Sequence, residues 1–263
     1  MIKALSYTVI FLGIQMFASG VVTLASRYIV DGTWLSPSYV AIVTMVLFAV
    51  ISALVFIRFR WATPTRDYLL SRPWLVVTWS VLAAIGSVPV SMFCQEHMPE
   101  LPNFVEEDMM NVVFTPGGYF VMCILAPLIE ELVFRGAVLR ALLSSATLKK
   151  SLSPNAHHWT MIAISALLFS VSHLNPAQMI HAFAIGLLLG WMYYRTNSIV
   201  PGVVFHCVNN TTAFLFIRFY SNSDIRLIDI FGTEQHVYYA LFFSLLILLP
   251  SLYQLHHLMK KVG

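Results

Sequence analysis

Two adjacent carboxylates and an arginine lie in the apolar run "APLIEELVFRG", residues 126–136. A charged side chain at mid-bilayer costs from about 2.5 to more than 10 kcal/mol, so such groups face the protein interior and find partners. Glu131 and Arg135 are four residues apart with the glutamate first, which is the favourable order on one helix face. Glu130 points about 100° away. The spacing predicts a structural Glu131–Arg135 ion pair and leaves Glu130 as the free carboxylate. The alternative is an ion pair beside a glutamate that only lines a water-filled crevice.

Two further polar motifs follow in later apolar runs. "FSVSH" places Phe169 and His173 on one predicted helix face, and "HCVNN" does the same for His206 and Asn210. Taken singly, each motif is explained by an interfacial residue or by an interhelical hydrogen bond of about 0.6–2 kcal/mol. Together with Glu130 they supply the groups that hydrolysis needs. A carboxylate and a histidine can take a proton from water, and a second histidine with an amide can stabilise an oxyanion.

The composition indicates an integral membrane protein. Of 263 residues, 59% are hydrophobic and 10% are charged, whereas soluble domains are about 45–50% apolar and about 25% charged. So much apolar surface cannot be hidden in a soluble core of this size. The lipid bilayer is therefore the first expected partner. No basic patch interleaved with aromatics is present, so we expect no nucleic-acid partner.

The apolar stretches predict an all-α, polytopic membrane helix bundle of about eight transmembrane helices. A helix needs about 20 apolar residues to cross the bilayer. The stretches of this kind lie at roughly 4–26, 38–59, 74–94, 117–143, 159–174, 177–195, 199–219 and 236–257. The first is longer than the apolar part of a signal peptide, about 7–15 residues, and is expected to be a retained anchor. We expect one membrane domain over 1–263.

The charge pattern predicts that both termini lie in the cytoplasm. Basic residues favour cytoplasmic loops, and the loop before the fourth span is acidic instead, with five carboxylates within 96–108. Arg218 and Arg226 fall on the predicted outer side and weaken the pattern. The basic residues that support it are Arg58, Arg60, Arg66, Arg72, Arg140, Lys149, Lys150, Arg195, Lys260 and Lys261.

The three motifs, in order, resemble the EExxxR, FxxxH and HxxxN motifs of the CPBP (Abi) family of intramembrane endopeptidases. This family includes the CAAX prenyl endopeptidases and bacterial bacteriocin-processing and self-immunity proteins. The resemblance covers about 125–211, and the spans within 117–219 would form the catalytic core. The first three spans carry no family motif. We expect the chain to be integral to a membrane, the bacterial cytoplasmic (inner) membrane.

The resemblance also implies a reaction, which is hydrolysis of a peptide bond in a membrane-associated protein or peptide. Glu130 and His173 would activate the attacking water, and His206 and Asn210 would stabilise the oxyanion. The structural support of the site would come from Glu131, Arg135 and Phe169.

Two questions stay open at this point. The family has also been viewed as metal-dependent, and Glu130, His173 and His206 could supply three zinc ligands with water as the fourth. No locally spaced zinc motif is present, which favours a glutamic endopeptidase without a cofactor. The other question is whether the chain is an enzyme at all. A catalytically inactive membrane protein that binds a peptide, confers immunity or scaffolds a complex is the alternative, and a proton-coupled transporter is disfavoured by the lack of inverted repeats.

Overall fold

The computed structural model describes residues 1–28, 36–62, 66–145, 153–221 and 225–259, and the regular structure in these ranges is helical throughout. The eleven helices, numbered in chain order, are α1 (Ile2–Tyr28), α2 (Pro37–Arg58), α3 (Arg66–Leu70), α4 (Trp74–Glu96), α5 (Glu106–Val113), α6 (120–143), α7 (Pro154–Val171), α8 (Pro176–Thr196), α9 (Val200–Tyr220), α10 (Leu227–Phe231) and α11 (Glu234–Leu258). Helix α6 is a continuous rod of four consecutive segments, two of them π-helical.

The predicted polytopic helix bundle is confirmed. Eight helices are long, and each overlaps one of the eight predicted spans: α1, α2, α4, α6, α7, α8, α9 and α11. Five of these, α1, α2, α4, α9 and α11, are long and apolar enough to cross a membrane by length and composition. The extension of a single domain over the whole chain stays a prediction.

Helix α6 lies at the centre of the bundle. It packs against α1, α2, α7, α8 and α9, and every residue of its π-helical segment Phe134–Leu139 is buried. The first large apolar cluster of the core includes α6 residues Val133, Phe134 and Leu139 together with residues of α1, α2, α7 and α8. Glu131 and Arg135 of α6 are therefore placed inside the protein, with 0% and 1% exposed.

Helix α7 differs from the predicted span 159–174 at both ends. It begins at Pro154, where the Ser153 hydroxyl accepts a hydrogen bond from the Ala156 amide at 3.3 Å and caps the helix. It ends at Val171, so His173 lies in the turn that leads to α8. The residue before Pro176 is forced toward an extended conformation, which stops the helical path before that proline.

Glycines bring several helices into close contact. A Cβ at Gly86 of α4 would lie 2.8 Å from the backbone nitrogen of Leu248 in α11. A Cβ at Gly186 of α8 would lie 2.9 Å from the Cβ of Ala166 in α7. The absence of a side chain at these positions lets the helix backbones approach, which is how membrane helices associate without a hydrophobic driving force.

The topology prediction is only partly covered by the structure. Lys149, Lys150, Lys260 and Lys261 lie outside the described residues. The Arg195 side chain donates from Nε to the Met259 carbonyl at 2.7 Å and from Nη2 to the His256 carbonyl at 2.6 Å. The end of α8 is thereby joined to the end of α11, as the prediction requires. Which side faces the cytoplasm stays a prediction.

We expect Gly86→Ala to destabilise the bundle. The added methyl would press on the α11 backbone, which cannot move aside as a flexible side chain can, and overpacking of this kind costs about 1–3 kcal/mol. The matched control is Gly13→Ala in α1, where nothing lies within 4 Å of the added carbon. Thermal unfolding in detergent should show a lower midpoint for Gly86→Ala alone. Equal midpoints for the two variants would contradict the close α4–α11 contact.

Candidate active site

The two glutamates lie on an α-helical stretch of α6 that has a π-helical segment on each side. Glu130 and Glu131 belong to Ala126–Val133, between the π-helical segments Phe120–Leu125 and Phe134–Leu139. Pro127 has no backbone N–H for the carbonyl four residues earlier, so the regular α-helical ladder is interrupted there. Wide π-helical turns are frequent at functional sites.

Glu131 and Arg135 form the ion pair that their spacing predicts. Arg135 Nη1 donates to Glu131 Oε1 at 2.6 Å, and both side chains are almost completely enclosed, with 1% and 0% exposed. Arg135 Nη2 also donates to the Gly186 carbonyl of α8 at 3.2 Å. The guanidinium carbon lies 4.5 Å from the centre of the Phe169 ring of α7. The arginine thus joins α6 to α7 and α8.

Helix α9 reaches the Glu131 carboxylate because residue 202 is a glycine. A Cβ at Gly202 would lie 2.7 Å from Glu131 Oε2. That oxygen is fully enclosed and has no hydrogen-bond partner among the described residues. A side chain at position 202 would press on this carboxylate, so that either the carboxylate or α9 would have to move.

His206 of α9 lies between the two glutamates. Its Nδ1 is 3.3 Å from Glu131 Oε1, and its Nε2 is 3.7 Å from Glu130 Oε2. A carboxylate only accepts hydrogen bonds, so Nδ1 carries the proton toward Glu131, and the other nitrogen is directed toward Glu130. This contact crosses two helices and could not be read from spacing within either helix.

His173 is oriented by the end of α7. Its Nδ1 donates to the Phe169 carbonyl at 2.9 Å, which leaves Nε2 as the free ring nitrogen. The Phe169 ring contacts His173 edge to face at 4.9 Å between centroids and His206 at 5.9 Å. Phe169 is 1% exposed, so it is a buried support for both histidines as well as for Arg135.

Asn210 is anchored to the first π-helical segment of α6. Its Nδ2 donates to the Met122 carbonyl at 3.0 Å. An amide nitrogen has two hydrogens, so the second one remains for another acceptor. The side chain is partly buried and lines the same space as His206.

The structure brings the four predicted catalytic residues to one cavity of about 310 Å³. Glu130, His173, His206 and Asn210 all line it, in a wall that is otherwise mostly apolar. Binding pockets start at about 300 Å³ and combine apolar walls with a few polar groups. The Glu130 side chain is 21% exposed, whereas Glu131 is sealed. The catalytic roles of the four residues stay predictions.

The sequence motifs missed other polar residues of this cavity. Gln178, His181 and Asn209 line it too. Gln178 and His181 are three residues apart in α8, and Ala182 and Ile185 of the same cavity wall continue this helical face. The spacing of two polar side chains on one face of an otherwise apolar helix is the signal that could have found them.

The zinc alternative has no preformed site in the described part of the chain. No group of three or more His, Cys, Asp or Glu side chains in it is arranged to hold a metal ion. Glu130, His173 and His206 share the cavity but do not form such a group. The absence of a cofactor stays a prediction.

Comparison with known proteins finds a match to a protein family over part of the chain. Residues 112–212 match the family model described as type II CAAX prenyl endopeptidase, Rce1-like. The matched segment runs from the end of α5 into α9, covers less than half of the chain and contains all three motifs. No curated protein and no solved structure matched the chain. The family match supports intramembrane protease activity.

We expect Glu131→Ala and Arg135→Ala to lower stability severely. Each change leaves its former partner as an uncompensated buried charge, which costs about 3–5 kcal/mol. The matched control is Arg226→Ala, because Arg226 and Asp229 form an ion pair whose side chains are 66% and 45% exposed. Exposed pairs contribute about 0–1 kcal/mol. Unfolding in detergent checks this, and a native-like midpoint for Arg135→Ala would contradict the supporting role of the pair.

Proposed function

We propose that this chain, which belongs to the CPBP/CAAX protease family, is a glutamic endopeptidase that hydrolyses a peptide bond of a membrane-associated protein or peptide. The observation that supports the proposal is the meeting of Glu130, His173, His206 and Asn210 in one cavity within the helix bundle. We also propose that it resides in a bacterial cytoplasmic membrane with both termini in the cytoplasm, as the charge pattern suggests.

Glu130 is the general base in this proposal. It is the carboxylate that a cavity water can reach, since Glu131 is fully enclosed and already bonded to Arg135. Glu130 takes one proton from the water as the water oxygen bonds to the carbonyl carbon of the substrate. His173 accepts a hydrogen bond through Nε2 from the second O–H of that water, which keeps its hydrogen, because the Nδ1 proton of His173 is directed to the Phe169 carbonyl.

His206 and Asn210 stabilise the oxyanion. In its doubly protonated form His206 lies between two carboxylates and donates from Nε2 as charge develops on the carbonyl oxygen. Asn210 gives the amide hydrogen that Met122 does not use. Loss of one such donor typically lowers kcat by about 10²–10³-fold. The C–N bond then breaks, and the leaving nitrogen receives the proton from Glu130, which restores the carboxylate.

Glu131 and Arg135 hold the site in shape. Glu131 fixes the Nδ1 proton of His206 and thereby the direction of Nε2. Arg135 neutralises Glu131 and fastens α6 to the helices that carry Phe169 and Gly186. The orientation of the imidazole matters for the rate, because a misdirected ring nitrogen cannot donate to the oxyanion.

We expect Glu130→Gln to abolish turnover without unfolding the protein. The amide keeps the shape of the side chain but cannot take a proton, and general-base catalysis contributes about 10²–10⁴-fold. The matched control is Glu100→Gln, which changes an exposed glutamate outside the cavity. Cleavage of a fluorogenic apolar peptide in lipid vesicles measures the rate, and the unfolding midpoint measures integrity. Retained cleavage by Glu130→Gln would exclude its role as the base.

We expect activity to survive exhaustive chelation. In the proposed mechanism the proton is taken by Glu130, so no water-activating ion is needed. Elemental analysis of the purified protein should find far less than one zinc per chain before and after chelation, with unchanged cleavage. About one zinc per chain, lost together with activity and restored with it, would overturn the metal-free mechanism and leave the protease assignment standing.

A further inference from the structure

A second polar cluster lies in the wall of the catalytic cavity, where α4, α8 and α9 meet. His181 Nδ1 is 2.6 Å from the Ser91 hydroxyl oxygen, and His181 Nε2 is 3.5 Å from Asn209 Nδ2. The Gln95 amide donates to the same Ser91 oxygen at 3.1 Å. Ser91 and Gln95 lie outside the segment that matches the family model. His181 lies between the second and third motifs, and Asn209 is one of the unspecified positions of HxxxN.

The contacts of His181 indicate that it positions Asn209 and does not bind the substrate itself. The Asn209 amide nitrogen can only donate, so Nε2 of His181 accepts and Nδ1 carries the ring proton. That proton is given to the Ser91 oxygen. The Gln95 amide nitrogen also lies 3.4 Å from Nδ1, and its acceptor is then the Ser91 oxygen at 3.1 Å. Both ring nitrogens are therefore engaged. The histidine fixes the direction of the Asn209 side chain and is left with no free nitrogen for a substrate.

These contacts use the side-chain nitrogen of Asn209 and leave its side-chain oxygen, Oδ1, as a hydrogen-bond acceptor. No described residue donates to Oδ1 of Asn209, and this oxygen is not among the fully enclosed, unpartnered side-chain atoms of the described chain. Asn209 lines the cavity. With its nitrogen held against His181, the side chain can present that oxygen to the cavity.

The position of Asn209 on α9 is close to the reacting groups. Residues three apart on a helix have Cβ atoms about 5–6 Å apart, and Asn209 follows His206 by three. An extended peptide advances about 3.3–3.6 Å per residue. A peptide whose carbonyl oxygen is held by His206 therefore has the N–H of a residue one or two positions away within reach of Asn209.

A substrate inside the membrane needs such an acceptor. A peptide bond is cleaved in an unwound segment, and the N–H groups of that segment lose their helical partners. An unsatisfied backbone group in an apolar environment costs several kcal/mol. The largely apolar cavity wall offers few polar atoms that could accept these hydrogens.

We propose that Asn209 is a substrate-positioning residue whose side-chain oxygen accepts a backbone N–H of the unwound peptide beside the scissile bond, with His181 and Ser91 holding it in that orientation. The ligand class is an extended peptide backbone. The proposal rests on the peptide-binding role of the cavity under the proposed function. It gives α4, which carries no family motif, a part in substrate binding.

The test measures binding separately from cleavage. The probe is a fluorescent apolar peptide of about 20 residues, selected for binding to the purified Glu130→Gln protein in detergent, together with a series in which one amide N–H at a time is replaced by an ester oxygen. Fluorescence anisotropy gives the Kd of each. We expect one ester position to weaken binding about three- to tenfold, as the loss of one hydrogen bond does.

Variants at Asn209 then test whether this residue accepts the hydrogen that the ester replaces. In Glu130→Gln/Asn209→Ala the penalty at that ester position should vanish, and in Glu130→Gln/Asn209→Asp, which keeps an acceptor oxygen, it should persist. His181→Phe in the same background should reduce the penalty, because Asn209 is no longer held. Thr212→Ala, which removes a hydroxyl bonded within α9 to the Val208 carbonyl and outside the cavity wall, should leave it unchanged.

The outcomes separate this proposal from the proposed function. A penalty that persists in the Asn209→Ala background, or no ester position with any penalty, overturns the role of Asn209 whether or not the native protein cleaves the peptide. The expected ester pattern with no cleavage of the all-amide peptide by the native protein supports the contact and counts against the protease. Unfolding midpoints of all variants in detergent identify any loss of binding that comes from unfolding.

Discussion

One buried carboxylate, that of Glu131, determines how the centre of this bundle is arranged. A charge inside the membrane must be compensated, and the same Glu131 oxygen accepts from Arg135 at 2.6 Å and from His206 at 3.3 Å. The arginine continues to the Gly186 carbonyl and to the Phe169 ring. Four helices, α6, α7, α8 and α9, are thereby joined around one charge. Removal of Glu131 or Arg135 leaves the other as an unpaired buried charge. The fold and the site therefore both depend on this ion pair.

The neighbouring carboxylate, that of Glu130, faces the cavity and lies 3.7 Å from Nε2 of His206. Successive residues on a helix point about 100° apart, so Glu130 faces the cavity while Glu131 faces the arginine. Gly202 lets α9 approach the sealed carboxylate, and the anchoring of Asn210 to the Met122 carbonyl uses a π-helical segment of α6. Two adjacent residues of one type thus serve different purposes, and their helical phase alone separates the two environments.

The features that could be predicted from the sequence are those determined by spacing within a single helix. The i,i+4 spacing of Glu131 and Arg135 predicted their ion pair, and apolar stretches predicted the eight long helices. The contact of His206 with Glu131 and the cluster of Ser91, His181 and Asn209 could not be predicted, since each depends on which helix faces which. The predicted end of α7 lies three residues beyond the observed one, because the turn to α8 begins before the apolar run ends and holds Leu174 at a positive φ of 52°. Spacing within single helices did not predict that the four residues share a cavity. Only the order of the three motifs along the chain indicated it.

The proposed cleavage of membrane peptides in this cavity can be measured most directly in cells. Quantitative mass spectrometry of membrane-protein termini would compare cells that carry the native chain with cells that carry Glu130→Gln at equal abundance. We expect one or more membrane precursors to accumulate intact in the Glu130→Gln cells, and the matching new termini to be found only with the native chain. Identical precursors and termini in both would contradict the proposed cleavage and favour a peptide-binding or scaffolding role.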